Sequence, residues 1–313
     1  MDQPEPLRSR NAVDALIEAY KAAPEWCQLA DSTRLNWELY LKRIAAAWGS
    51  LEVRGIEPKH VLALRDKHAA TPAAANNLLR CLSSILSWSV PRGWRSDNPC
   101  LLVPKLKGGE GYDPWPWELI QLARLHLRPD LWQASAVALY SGQRMGDALA
   151  MRWDHVSGNI ITVAQEKTRK RVAIPLHEDL RKILAEIPKT AVTILTCTAG
   201  TPWTKDGFKT SWQKAFAEPV QRPGEPSRPW PLRPIREARL VFHGLRKSAV
   251  VFLLEAGCSD AEVAAITGQS RQMGEHYGKQ VSQRKLAASA ILKWERAGNE
   301  GLQNELQNAS KNK

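Results

Sequence analysis

The sequence predicts a mainly α-helical chain with a small β-sheet, an α+β fold in two domains. Three observations lead there. Apolar residues recur at helical spacing along most of the 313 residues, the period switches to two only around residues 159–176, and one stretch rich in Pro and Gly divides the chain. A chain of this length is expected to hold about two domains, each with its own core.

The elements follow in order. "DSTRLNWELYLKRIAAAWGS" opens on the cap candidates Asp31 and Ser32 and runs apolar through Leu35, Leu39, Ile44 and Trp48, which predicts a helix. "EPKHVLALRDKHA" predicts a shorter one after Pro58. In "TPAAANNLLRCLSSILSWSVPRGW", Leu78, Leu82, Ile85 and Leu86 form an apolar stripe, and Pro91 and Gly93 stop the helix. The opposite face carries Asn76, Asn77, Arg80, Ser83, Ser84 and Ser87. Such a small polar face suits a phosphate backbone, and it equally suits plain solvent. The linker is placed at 107–113, inside "NPCLLVPKLKGGEGYDPWPW".

Beyond the linker, "WELIQLARLHL", "LWQASAVALYSG" and "GDALAMRWDHV" read as helices. The alternation of Ile161 with Val163 and of Val172 with Ile174, around the basic turn Thr168-Arg169-Lys170, predicts a β-hairpin. "HEDLRKILAEI" and "KDGFKTSWQKAFA" return to helix, and a Pro- and Arg-rich loop spans 218–240. "VFHGLRKSAVVFLLEAG" is a helix closed by Gly257, and Ser259 to Glu262 has the form of a capping box for the next, which Gly268 ends. A last helix and a polar tail are expected over 291–313.

The formal charge of +12 favours a polyanionic partner. The excess is uneven: residues 1–110 hold 15 Lys and Arg against 12 acids, and residues 111–313 hold 29 against 20. No apolar run approaches the roughly 18 residues that a membrane span needs, so no membrane partner is expected. Five scattered cysteines with no CxxC pair predict neither a zinc site nor a disulfide framework, and they fit a reducing, cytoplasmic compartment. No metal site and no cofactor are expected.

One set of residues stands out. Arg144 follows a Ser-Gly break, with Asp147 one turn on; Lys167 sits at the end of a strand; His243 and Arg246 share one face at a helix start; Gln269 follows Gly268; and Tyr277 lies eight residues later. His243 and Arg246 beside the positive end of a helix would seat an anion. Each residue alone has an ordinary reading, such as a solvated Arg or a packed Tyr. Together they are donors and a phenol without paired acids for a metal.

In order and spacing, these segments resemble the tyrosine recombinase, or phage integrase, family. "SGQRMGDALAMRW" is similar to the family's first box, "VAQEKTRKRVAIPL" to its lysine-bearing hairpin, and "FHGLRKSAVVFLLEAG" to its second box. "AAITGQS" followed by "HY" is similar to the third, and "ANNLLRCLSSILSWSVPRGWRSDNP" to the last helices of its core-binding domain. The chain departs from the family pattern at Gln269, where His or Trp is usual, at Thr267, where Leu is usual, and at Lys247, where His is frequent. Glutamine still donates a hydrogen bond but does not titrate.

The resemblance implies a helical core-binding domain over 1–106, a catalytic domain over 114–290, and a C-terminal helix and tail. It implies Tyr277 as nucleophile, Arg144 and Arg246 as a phosphate clamp with Gln269 as a third donor, and His243 as base. Lys167 would be the general acid, with Lys170 the rival because a hairpin's register is not set by sequence. Asp147 would orient the network. Asn76, Asn77, Arg80, Ser84, Arg169, Lys170 and Arg171 are the DNA-contact candidates. The implied partners are double-stranded DNA carrying a specific site, three further copies of the chain engaged through the tail, and accessory factors that bend DNA or set direction. The implied setting is the nucleoid of a bacterial or phage-infected cell. A regulator that keeps the fold without the chemistry, and a type IB topoisomerase, remain alternatives.

Overall fold

The computed structural model describes residues 11–109, 111–220, 228–269, 290–292 and 295. The chain divides into two units, Met1–Gly111 and Tyr112–Lys313.

The first unit is helical. It comprises α1 (Val13–Lys21), α2 (Pro24–Cys27), α3 (Asp31–Trp48), α4 (Pro58–Lys67) and α5 (Pro72–Ser89). Prolines open α2, α4 and α5, where the missing N–H is one that a helix start leaves unpaired anyway. Helix α5 is central and packs against α1, α3 and α4. Its predicted stripe of Leu78, Leu82, Ile85 and Leu86 is fully buried.

Helix α3 differs from expectation. Leu35 and Leu39 are 70% and 49% exposed, while Tyr40, Leu41, Ile44 and Trp48 are buried and Trp37 packs against them. Residues 37, 40, 41, 44 and 48 keep the i, i+3, i+4, i+7 spacing of one face. Leu35 and Leu39 fall two residues off that stripe, on the far side of the helix. Arg95 is buried without being unsatisfied, since it donates to the carbonyls of Val53 (2.9 Å) and Ile56 (3.0 Å) and pairs with Asp97.

The second unit wraps helices around a three-stranded antiparallel sheet of order β1-β2-β3. In chain order it holds α6 (Trp117–His126), α7 (Pro129–Ser141), α8 (Met145–Leu149), β1 (Val156–Ser157), β2 (Ile160–Ala164), β3 (Arg171–Pro175) and α9 (Glu178–Glu186). Then follow α10 (Lys205–Ala215), α11 (Arg233–Glu237), α12 (Phe242–Glu255) and α13 (Asp260–Thr267). The hairpin pairs Ile161 with Ile174 and Val163 with Val172, and its apolar side faces the core.

Two elements depart from the sequence reading. The helix expected through "GDALAMRWDHV" stops at Leu149, and Val156 instead starts the extra strand β1, paired with β2. The Pro- and Arg-rich stretch read as loop contains α11, whose Pro234 sits in the first turn and whose Arg233 pairs with Glu237 at 2.6 Å. Residues 221–227 of that stretch lie outside the described residues.

Helices α7 and α12 pack along each other under the site. The start of α12 is also held by the chain entering the unit. Trp115 N donates to Ser248 Oγ at 2.7 Å, and the Trp115 indole donates to the carbonyl of Val241 at 2.8 Å. Gly244 permits this approach, because a Cβ there would lie 2.5 Å from the carbonyl oxygen of Asp113. The capping box at α13 is present, with Glu262 N donating to Ser259 Oγ and Ser259 N donating to Glu262. Residues 290–292 are helical, and Ile291 and Leu292 are about half exposed. No helix among the described residues is long and apolar enough to cross a membrane.

Candidate active site

Three groups of residues meet at the first turn of α12, the last drawn from two separate stretches of chain. The first is the loop from α7 to α8. Its Gly142 carbonyl accepts from Arg246 Nη1 at 2.6 Å, although the two residues are 104 positions apart. Arg144 precedes the first residue of α8 and lies 3.6 Å from Asp147, whose side chain is 3% exposed. The other oxygen of Asp147 accepts from Glu166 N at 2.9 Å, which ties this loop to the hairpin.

The second is on α12. Arg246 is 2% exposed. With the Gln269 amide oxygen turned toward it, Nε and Nη2 of Arg246 donate to Gln269 at 2.9 and 3.1 Å. A guanidinium this buried needs such acceptors. His243 is half-buried one turn earlier. Burial pushes its pKa down, and Arg246, Arg144, Lys247 and Lys167 push the same way, in that order. All four are cations and disfavour the imidazolium, which favours the neutral form that can accept a proton. Lys167 is among these charges. Tyr112 meets the His243 ring edge-on at 6.0 Å. Beside Arg144 and His243 opens a cleft of about 620 Å³, floored by Phe208, Trp212 and Phe216.

The third is the hairpin turn with the end of α13, and here the sequence reading missed the central residues. Gln165 and Gln143 are each 1% exposed. Gln165 Nε2 donates to Gln143 Oε1 and to the Thr267 carbonyl, both at 2.7 Å. Its Oε1 accepts from Thr168 Oγ1 at 2.7 Å and from Arg144 Nη1 at 3.4 Å. Gln143 Nε2 in turn donates to the carbonyls of Ser141 and Ile266, both at 3.0 Å. Thr267 is itself buried and donates to Val263 O at 2.7 Å. A signal for Gln165 existed: it continues the alternation of Ile161 and Val163, so period two turns it inward.

Arg144, Asp147, Lys167, His243, Arg246 and Gln269 therefore gather in one cluster. Lys167, Arg169, Lys170 and Arg171 are exposed along the turn and the start of β3. In the first unit Arg80 is exposed and Asn77 and Ser84 are half-buried. Asn76 is spent on the backbone: Leu106 N donates to it at 2.9 Å, and it donates to Leu106 O at 2.8 Å. Ser83 and Ser87 accept from Asn98. Tyr277 lies outside the described residues. Among the described residues no group of three or more His, Cys, Asp or Glu could hold a metal ion.

Residues 130–280 match the model of the phage integrase family. The fold is similar to that of a lambda integrase dimer bound to a COC′ core site, with TM-score 0.69 and 19% identity over 84% of this chain and 94% of that one. A lambda integrase tetramer bound to a Holliday junction gives 0.68 and 20%, covering 86% and 82%. The Tn1549 transposon integrase in complex with circular intermediate DNA gives 0.66 and 12%, covering 90% and 99%. No curated protein sequence matches the chain. The matched segment carries the Arg144 loop, the hairpin and the start of α12 with its buried guanidinium, and residues 130–280 are similar to the domain of the phage integrase family, the tyrosine recombinases.

Proposed function

We propose that the chain is a site-specific DNA recombinase that cuts and rejoins strands through a 3′-phosphotyrosine on Tyr277. The observation that carries this reading is the cluster that sets Arg144 and the buried, anchored Arg246 about His243. A phosphodiester gains charge on its non-bridging oxygens on the way to the pentacoordinate transition state. Donors fixed in advance at those oxygens favour that state over the ground state. Arg144 and Arg246 supply them, and each is anchored by other groups that hold it in place without reorganisation. Gln269 serves as a neutral aid, bracing Arg246 through its oxygen and offering its NH₂ to phosphate.

A phenol with pKa near 10 is about one-thousandth ionised at pH 7, a deficit of about 4 kcal/mol. His243 takes the phenol proton as Tyr277 Oη bonds to phosphorus. The P–O5′ bond breaks, and Lys167 gives a proton to the leaving oxygen. The phosphotyrosine keeps the bond energy, so attack by another 5′-hydroxyl reverses the step without ATP, and no step calls for a metal. The first unit contributes DNA contacts through Asn77, Arg80 and Ser84, and the basic turn with Arg169, Lys170 and Arg171 adds others. Four copies exchanging strands through a Holliday junction, joined through the C-terminal tail, fit the same reading, as does a place on the nucleoid in a bacterial or phage-infected cell.

The test is covalent trapping. The protein is incubated with a pool of nicked half-site duplexes of random sequence, in EDTA and without ATP, and then denatured. The expected result is DNA linked to Tyr277, lost in Tyr277→Phe. A protein that binds the pool and never becomes linked to it is a DNA-binding regulator, and the proposal falls.

A further inference from the structure

We infer that Gln165 is a positioning residue that sets where Lys167 presents its ammonium; the inference rests on the reading of Lys167 as the acid for the leaving oxygen.

The hairpin turn over residues 165–170 leaves Lys167, Arg169 and Lys170 exposed, so no core packing of their side chains fixes its shape. Gln165 does so from beneath. Its backbone N donates to Lys170 O at 2.8 Å, and its carbonyl accepts from Arg169 N at 2.8 Å, which closes the turn at both ends. Its side-chain oxygen accepts from Thr168, the neighbour of Lys167, at 2.7 Å. Its amide nitrogen is fastened to Gln143, next to Arg144, and to the Thr267 carbonyl, two residues before Gln269.

One side chain thus links the turn that bears the ammonium to both loops that bear the clamp. An amide suits the task because it has two donor hydrogens and two acceptor lone pairs, and its four partners here use all of them. No charged residue of similar length offers both. Gly268 closes the last side, where a Cβ would lie 2.5 Å from Gln165 Nε2, so the amide has nowhere to retreat. The positional demand is strict: a displacement of about 1 Å of a reacting group costs on the order of 10²-fold in rate.

The experiment compares two leaving groups on the random half-site pool, with single-turnover formation of covalent complex as readout. One carries the ordinary 5′-oxygen, and the other a bridging 5′-sulfur, which leaves as thiolate and needs no proton. Gln165→Met keeps the length and removes the four hydrogen bonds. It should slow the oxygen substrate roughly 10- to 100-fold more than the sulfur substrate, whose smaller loss reports the bonds to the clamp loops. Thr168→Val, which loses only the bond at the exposed turn, should show a smaller loss on oxygen with the same rescue by sulfur. It serves if Gln165→Met does not fold. Lys167→Ala is the reference and must itself be rescued by sulfur.

If wild-type protein forms no complex, or Lys167→Ala is not rescued, the reading of the acid falls and the inference with it. If Lys167→Ala is rescued while Gln165→Met is slowed equally on both substrates, or Thr168→Val keeps the wild-type rate on oxygen, the inference alone is refuted.

Discussion

Replacing Gly268 by Ala tests the packing of the site without reference to any activity. Gly268 has φ +68°, and an added Cβ would lie 2.5 to 2.7 Å from three side-chain atoms of Gln165. Two costs combine. Holding a residue with a Cβ in the left-handed region costs about 1–2 kcal/mol. Forcing a methyl into a filled interior costs a further 1–3 kcal/mol or so. Gly158 separates the two costs, since it has φ +56° and nothing within 4 Å of its added Cβ. Gly158→Ala should therefore pay only the backbone cost. Both glycines belong to the unit Tyr112–Lys313, where about 1 kcal/mol shifts the melting temperature by roughly 2–4 °C. In a calorimetric scan Gly268→Ala should melt below Gly158→Ala by roughly 5 °C. Adding Gln165→Ala should shrink that gap, because the methyl then has room and the two changes are coupled. Equal melting temperatures for the two glycine variants would show that Gln165 moves aside freely, and the reasoning about a locked amide would be wrong.

Three further outcomes are expected. Nuclear magnetic resonance should place the His243 midpoint below 6.5; its folded pKa is depressed, so it favours folding above 6.5 and this contribution fades as pH falls through the folded value. A midpoint at or above 6.5 contradicts the burial and cationic surroundings described. Asp147→Asn keeps an acceptor for Glu166 N and loses the charge 3.6 Å from Arg144, so covalent-complex formation should slow about tenfold, and Asp147→Ala should slow it more. Unchanged rates in both would remove Asp147 from the network. Ser248→Ala leaves Trp115 N without its partner in the interior and should cost about 1–3 kcal/mol in urea unfolding, and a wild-type midpoint would count against that accounting.

Much of the architecture was legible because it is periodic. The α5 stripe and the alternation of Ile161 with Val163 and of Val172 with Ile174 follow from spacing alone, whereas the register that pairs Ile161 with Ile174 does not. What failed had a local cause. On α3 the sequence holds two apolar faces, and only the packing of α1 and α5 selects Tyr40 and Ile44 over Leu35 and Leu39. The strand β1 is two residues long, too short for any period to announce it. For the site, charged residues and their order drew attention to the cluster, whereas the two glutamines that fasten it were passed over. Gln165 lies on the inward phase of β2, yet polarity at a strand end reads as a turn signal. Its partners at Gln143 and Thr267 are 22 and 102 residues away, a meeting that only the tertiary fold creates.

The anchoring of Trp115 bears on where this unit can be cut. The family match opens at residue 130, and α6 opens at Trp117, so either is a natural place to truncate. Both cuts would discard the short strap that clasps Ser248 and the Val241 carbonyl, and would uncover the Gly244 side of the turn that holds His243 and Arg246. A fragment that begins upstream of Asp113 retains all of these contacts to the start of α12.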